Sequence, residues 1–456
     1  MLIQFIMNRL PNLLRSTLLL PILLLSFCKP EADYQHLLTD SSALSTANRH
    51  LTEVMVHDIF SPPVSSRIYA YASLAAYEVT ALSDSSYHSM TGKLNGFKAD
   101  NFQVSLPCSY PLAALVAHYK VGQTLVFSED KINQKRETLY QKLKDNGMPD
   151  DIFENSVKLG NAVAAHVLDY ASGDNYHESR SYEKYTVTSK PGTWTPTPPA
   201  YMEGIEPHWN KIRPMTMDSA AQFVPAKPYP FDTDPESKFY KEAKAVMDIG
   251  NQLNDNQSDI AFFWDCNPYK MNIKGHVMFA EKKITPGGHW MGIASIAATG
   301  QNQDWKATSQ TLAYTSIALF DAFISCWDEK YRSVLIRPET YINQYMDENW
   351  LPILQTPPFP EYTSGHSVAS KAAAVALTHL IGDQFHLVDS TEVPYGLPIR
   401  EFNSFKEASE EAAISRFYGG IHYMQAIDEG VEQGRMVGNH VLSKISENNK
   451  ETLSSK

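Results

Sequence analysis

The chain has 456 residues, 43% hydrophobic and 20% charged, which is enough apolar material for a large core and excludes a disordered polymer. Lys and Arg number 39 against 51 Asp and Glu, a net charge of −12, and that acidic balance argues against a nucleic-acid-binding surface. Four cysteines are too few for a disulfide-built scaffold, so composition leaves a large globular enzyme of two or three domains at about 150 residues each.

Residues 1–28 carry Arg9 and Arg15 and then an apolar run from Leu18 to Leu25, the pattern of a secretory signal. Pro21 interrupts the run, which falls short of the ~20 apolar residues of a membrane span, so no integral span is expected. Leu25-Ser26-Phe27-Cys28 resembles a bacterial lipoprotein cleavage box, although Phe27 stands where a small residue is usual. The expected location is the periplasm or the envelope surface, with lipidation at Cys28 or plain secretion. Losing Arg9 and Arg15 takes the mature charge from −12 to −14. Cys108, Cys266 and Cys326 then sit in an oxidising compartment, where three thiols form at most one bridge. No pair has metal-ligand spacing such as C-x-x-C, so they read as buried free thiols rather than a zinc site or a thiol nucleophile.

Helical signals dominate the rest. Residues 63–83 begin with Pro-Pro-Val and continue with Ile68, Ala72, Leu74 and Tyr77 at helical spacing, and 110–126, 129–145 and 150–171 read the same way. Four helices with short connections predict an antiparallel bundle. Ten prolines then fall between Pro191 and Pro235, together with Trp194 and Trp209, which predicts an ordered loop wrapped over the helices. Helices are expected again at 236–253, 256–263, 287–300, 305–329, 365–381, 404–418 and 424–445; 183–188 and 386–393 are the strand candidates. The expected fold is all-α: an N-terminal bundle plus Pro-rich loop over 40–235, packed on a second, catalytic bundle over 236–446.

Three segments of the second half carry chemistry. Lys330 and Arg337 are seven residues apart, about two helical turns, and Pro338 disfavours a helical state for Arg337, so its guanidinium is expected to leave the helix end. Alone, the pair is also what a helix C-terminus carries for dipole reasons. Thr363-Ser364-Gly365-His366 opens an Ala/Val-rich helix, where free backbone N–H groups, a hydroxyl and a glycine make an anion site as readily as a simple N-cap. In Ser415-Arg416-x-x-Gly419-Gly420-x-His422 the glycines break the helix, either to let Arg416 and His422 converge or merely as a C-cap and turn. Together these supply three cations, two neutral donors and two imidazoles with no carboxylate in the motif cores. That is a cradle for a multiply charged tetrahedral oxyanion and not a Mg²⁺ or Ca²⁺ site.

The ordered set Lys-x6-Arg-Pro, Ser-Gly-His and Ser-Arg-x5-His, over about 330–422, resembles the signature of the vanadium haloperoxidase and type 2 phosphatidic acid phosphatase superfamily. The stretch from Asp321 through Trp327 to Lys330, Phe359 in Pro-Pro-Phe-Pro-x-Tyr and the two-bundle length resemble the haloperoxidase branch. Two positions depart from that pattern: Thr363 replaces a proline, and Ala426 stands where the family has an Asp that orients the last histidine, Asp428 being the nearest carboxylate.

The resemblance implies vanadate as cofactor, with phosphate competing, held by Lys330, Arg337, Ser364, Gly365, Arg416 and His422. His422 is then the metal ligand, His366 the acid/base that takes a proton from H₂O₂, and Lys330 the group that polarises the peroxide oxygen before halide attacks it. In the phosphatase alternative, His422 attacks the phosphorus of a phosphomonoester and His366 protonates the leaving alcohol. A third reading is an envelope protein that binds oxyanions without turnover. The oligomeric state and the halide are not encoded in any of these motifs, and the N-terminal bundle shows no motif of its own.

Overall fold

The computed structural model describes residues 33–446; the N-terminal stretch read as a secretory signal, with Cys28, lies outside the described residues. Five helices open the chain: α1 (Ser42–His57), α2 (Pro62–Ser83), α3 (Tyr110–Leu125), α4 (Glu129–Asp145) and α5 (Asp150–Ser172). The start of α2 follows from its sequence: the Ser61 hydroxyl caps the Val64 N–H at 3.3 Å and Pro62 occupies a first-turn position that has no amide to satisfy. Every residue of α2 from Pro62 to Thr80 is buried, so this is a central helix with no solvent face.

A single turn, α6 (Tyr176–Ser179), leads into the Pro-rich segment, which is ordered as its aromatics predict. Trp194 and Trp209 are fully buried, and the Trp194 amide donates to the Val334 carbonyl at 2.8 Å. The loop is fastened to the core by Asp321, whose carboxylate accepts from the Met215 and Thr216 amides at 2.7 and 2.8 Å and from the Thr216 hydroxyl at 2.6 Å.

The second half comprises α7 (Lys238–Gly250), α8 (Asp255–Phe263), α9 (Pro286–Gly300), α10 (Trp305–Ser333), α11 (Pro338–Tyr345), α12 (Gly365–Ile381), α13 (Phe405–Tyr418) and α14 (Met424–Ile445). Asp304 caps α10, a helix about 43 Å long by its 29 residues, and every residue from Thr311 to Lys330 is buried. Helix α10 packs on α2 on one side and on α12 and α14 on the other, so one continuous apolar core joins the two halves.

Four boundaries differ from the sequence expectation. Helix α1 was not expected, because its apolar stripe (Leu44, Leu51, Val54, Met55) is interleaved with buried Asn48 and Thr52, which bond to the Met291 carbonyl and the Tyr69 hydroxyl. Helix α10 runs on past 329 to Ser333 and so carries Lys330 itself. Pro338 does not end a helix but starts the short α11, with Arg337 as its N-cap residue. Residues 183–188 form no strand; the described strands are two small antiparallel hairpins, β1 (Met271–Lys274) with β2 (Val277–Ala280) and β3 (Leu387–Asp389) with β4 (Arg400–Phe402).

Candidate active site

The three motif segments meet at one end of α10. Lys330 projects from its last turns, Arg337 from the start of α11, Ser364 to His366 from the N-terminus of α12, Arg416 from the last turn of α13, and His422 from the turn before α14. Gly420, at φ +77°, makes the turn that carries His422 back toward Arg416; a β-carbon there would press on the Pro352 backbone. Gly365, His366, Arg416 and His422 line a cavity; Lys330, Arg337 and Ser364 do not line it, Arg337 touching His422 and Ser364 preceding Gly365 in the chain. The rest of the lining is apolar, with Trp327, Phe359, Phe323 and Pro286, and Pro62 at the start of α2 brings the first half of the chain into the wall.

His422 is held from both ring nitrogens. Nη1 of Arg337 lies 3.1 Å from Nε2, and a guanidinium can only donate, so Nε2 is the acceptor and the ring proton sits on Nδ1. That proton goes to Oε1 of Glu361 at 2.7 Å, which also accepts the Tyr423 amide at 3.0 Å. Burial first, then the nearby Arg337 and Lys330, push the His422 pKa well below its ordinary value, so the ring is neutral with its Nε2 lone pair facing the cationic cluster. The carboxylate that orients His422 is therefore Glu361, from within Pro357–His366, and not the exposed Asp428. The expectation of a cradle without a carboxylate at its centre is corrected by the same residue.

Both arginines are pinned by part of their forks. Nε of Arg337 donates to the Phe359 carbonyl and Nη1 to the Ile421 carbonyl, each at 2.9 Å; Nη1 of Arg416 donates to the Trp264 carbonyl at 2.7 Å. Nη2 of Arg337, Nε of Arg416 and Nε2 of His366 are buried with no hydrogen-bond partner among the described residues. Lys330 is committed differently: Nζ donates to the Pro360, Glu361 and Thr363 carbonyls, which fixes the loop that carries Glu361. Its Nζ also stands 5.1 Å above the Phe359 ring. Ser364 is the N-cap of α12, accepting from the Ser367 amide at 3.3 Å, which leaves its hydroxyl proton free to donate. Thr363, in place of proline, donates its hydroxyl to Gln433 at 2.7 Å.

The charge balance points to an anion. Burial lowers Lys330 to about 8 and Arg337 to about 10, lowers Arg416 as well, and raises Glu361 to about 7. Burial also takes His366 well below its ordinary range, helped by Arg416, so this imidazole is a neutral base. Three buried cations share Glu361 at the centre, with Asp265 acting on Arg416 and Glu329 on Lys330 from the periphery, and the positive charge is desolvated. Gly365 adds no β-carbon to the cavity that Arg416, His366 and His422 line; one placed there would stand 3.9 Å from Cε of Lys330. A tetrahedral oxyanion fits this donor set, with His422 Nε2, fixed as the unprotonated nitrogen by Glu361 and Arg337, as the candidate ligand to its central atom.

Trp264, Cys266 and Tyr269 belong to the site or its support and carried no motif; Glu361 did have a signal, as the sole acid in the run Pro357–His366. A family model described as the VCPO second helical-bundle domain matches residues 310–451, which hold all seven predicted site residues. The chain is similar to a bacterial vanadium-dependent iodoperoxidase at 51% identity and a TM-score of 0.83, covering 89% of this chain and 96% of that one. It shares its fold with holo-type and apo-type bacterial vanadium-dependent chloroperoxidases, both 16% identical, at TM-scores of 0.67 (90% and 98% covered) and 0.62 (84% and 94%). No curated protein matches the chain.

Proposed function

Because the chain belongs to the vanadium-dependent haloperoxidase family, we propose that the cradle around His422 is its vanadate site, with Arg337, Ser364, Gly365, Arg416 and His422 as the holding residues and Lys330, whose three N–H groups are committed to carbonyls, as a fixed positive charge beside them. The enzyme is a peroxidase that takes H₂O₂ and a halide, and its cofactor is vanadate. The chemistry that the cofactor supplies is Lewis-acid activation of H₂O₂ toward two-electron oxidation of halide.

The protein's part is binding, orientation and proton movement. Glu361 keeps the His422 proton on Nδ1 and so presents Nε2 as a ligand. Arg337 and Arg416, each fixed by a carbonyl, offer their free N–H groups to oxyanion oxygens, and the Ser364 hydroxyl adds a neutral donor. Lys330 adds a third positive charge beside them. His366 is the acid/base: neutral, buried, with Nε2 free, it takes a proton from H₂O₂ and returns it to the departing oxygen. The aromatic and proline walls keep bulk water from the reacting groups.

The observation that carries this reading is one cavity lined by His366, Arg416 and His422, with Arg337 against the His422 nitrogen that bears the lone pair and both arginines keeping a buried N–H unpartnered among the described residues. Iodide, the most easily oxidised common halide, is the favoured substrate by similarity to the iodoperoxidase. Arg9, Arg15 and the Leu18–Leu25 run support export, which fractionation and N-terminal sequencing test.

The decisive assay compares purified protein with and without orthovanadate on iodide, bromide and p-nitrophenyl phosphate. Halide oxidation that requires vanadate is expected. Vanadate that only inhibits phosphomonoester hydrolysis, with no halide oxidised, would move the site to phosphatase chemistry through His422.

A further inference from the structure

A second cluster of ligating side chains adjoins the cavity, outside the oxyanion cradle. Cys266 on the turn after α8, His289 in the first turn of α9 and Glu392 just beyond β3 are buried together. Sγ of Cys266 lies 3.5 Å from Nδ1 of His289 and 3.8 Å from Oε1 of Glu392, and Nδ1 lies 3.2 Å from Oε1. These separations lie within about 0.2 Å of the edges of a zinc tetrahedron. With zinc–sulfur, zinc–nitrogen and zinc–oxygen bonds of about 2.3, 2.0 and 2.1 Å at tetrahedral angles, the corresponding edges are about 3.5, 3.6 and 3.3 Å.

The other ring nitrogen of His289 is fixed as that of a zinc-ligating imidazole is. Nε2 lies 2.7 Å from Oδ2 of Asp389, whose Oδ1 accepts from the Thr391 amide at 2.9 Å and hydroxyl at 2.6 Å. A carboxylate in that position sets the tautomer, leaving Nδ1 to face the thiol and Glu392.

We propose that Cys266, His289 and Glu392 form a zinc site, with Asp389 as the positioning residue for His289. A thiolate with an imidazole selects zinc over Mg²⁺ or Ca²⁺, which require oxygen ligands throughout. On binding, the Cys266 thiol proton passes to solvent, Nδ1 of His289 coordinates through its lone pair, and Nε2 keeps its proton for Asp389. Cys266 borders the active-site cavity, which gives the ion its way in. No local spacing announces this site, because its ligands come from three separate segments of the chain.

The zinc site bears on the oxyanion cradle through Trp264. Its ring stacks on His289 with centroids 4.4 Å apart, and its carbonyl accepts the Nη1 proton of Arg416 at 2.7 Å. Tying Cys266 to α9 and Glu392 therefore fixes the turn that holds Arg416 in place.

The test uses the full chain, purified without chelators. Elemental mass spectrometry is expected to find one zinc per chain, and cobalt exchanged into the site is expected to show a thiolate-to-cobalt charge-transfer band. Cys266→Ser and Glu392→Gln should lose the metal and with it the band, while circular dichroism shows them folded; Cys108→Ser should keep both. If folded wild-type protein carries no zinc and takes up none on dialysis, or if Cys266→Ser retains its zinc, the proposal fails. His289 is then a protonated partner of Asp389 and Glu392 and nothing more.

Discussion

Oε1 of Glu361 lies 2.7 Å from Nδ1 of His422, and the two side chains come from segments 61 residues apart. The bond does three things at once. It fixes the tautomer, so that Nε2 carries the lone pair; it aims the ring at Arg337; and it places one negative charge beneath three positive ones. A carboxylate reached from the loop before α12 thereby performs the orienting job that Ala426, in the first turn of α14, cannot.

Vanadate affinity should follow the ionisation of Glu361. Its pKa is raised to about 7, so the carboxylate is charged above that pH and protonated below it. The ionised form makes Nε2 of His422 more basic, so binding weakens as the pH falls through about 7. Glu361→Gln keeps an acceptor for the Nδ1 proton but never ionises. Calorimetric titration with vanadate should find it roughly 10- to 100-fold weaker than wild type at about pH 8, with the ratio closing toward one at about pH 5. Vanadate's own protonation affects both proteins alike. A ratio that does not change with pH removes Glu361 from this role.

The same residue should cost stability. Its folded pKa of about 7 exceeds the ordinary 4.5, so between those values the unfolded chain has released a proton that the folded chain still holds. Stability therefore falls as the pH rises through that window, and the full penalty, up to roughly 3 kcal/mol, is present above about 7. Without vanadate, Glu361→Gln should melt at a higher temperature than wild type above neutrality, and the gap should shrink toward pH 4.5. Equal melting temperatures across the range would contradict the assignment of a strained buried carboxylate.

Much of this fold was legible because its helices advertise themselves: α2, α3, α5 and α10 carry apolar residues at helical spacing, and α2 and α9 begin at prolines. The oxyanion donors were legible because each sits in a short motif. What the sequence could not show are pairings across long separations, such as Glu361 with His422 or Cys266 with His289, since nothing local specifies them. Helix α1 was hidden for a related reason: the partners that justify burying Asn48 and Thr52 lie on other helices. The start of α11 was misread because Pro338 can either end one helix or begin the next.

The two histidines should separate binding from turnover. His422→Ala removes the imidazole nitrogen that Glu361 and Arg337 orient as the proposed ligand, and should abolish both vanadate binding and halide oxidation. His366→Ala leaves the arginine forks and His422 in place, so vanadate should still bind while kcat falls roughly 10²- to 10⁴-fold. Binding by calorimetry and turnover by iodide oxidation decide the matter. Loss of binding in His366→Ala with retention in His422→Ala would reverse the two roles.

Arg337→Lys and Arg416→Lys keep the charge and should still weaken vanadate binding. Each guanidinium spends one or two N–H groups on carbonyls that fix its plane: Arg337 on Phe359 and Ile421, Arg416 on Trp264. The remaining N–H groups are left for the anion. An ammonium is a point charge on a flexible stem and cannot hold both sets of partners in that geometry. Arg337→Lys should be the more severe of the two, because it also releases Nε2 of His422 from its 3.1 Å contact and leaves the Phe359 and Ile421 carbonyls buried without their donor. Vanadate titrations of both variants at one pH test the order. Unchanged affinity in either would mean that charge alone, and not the fork, holds the oxyanion at that position.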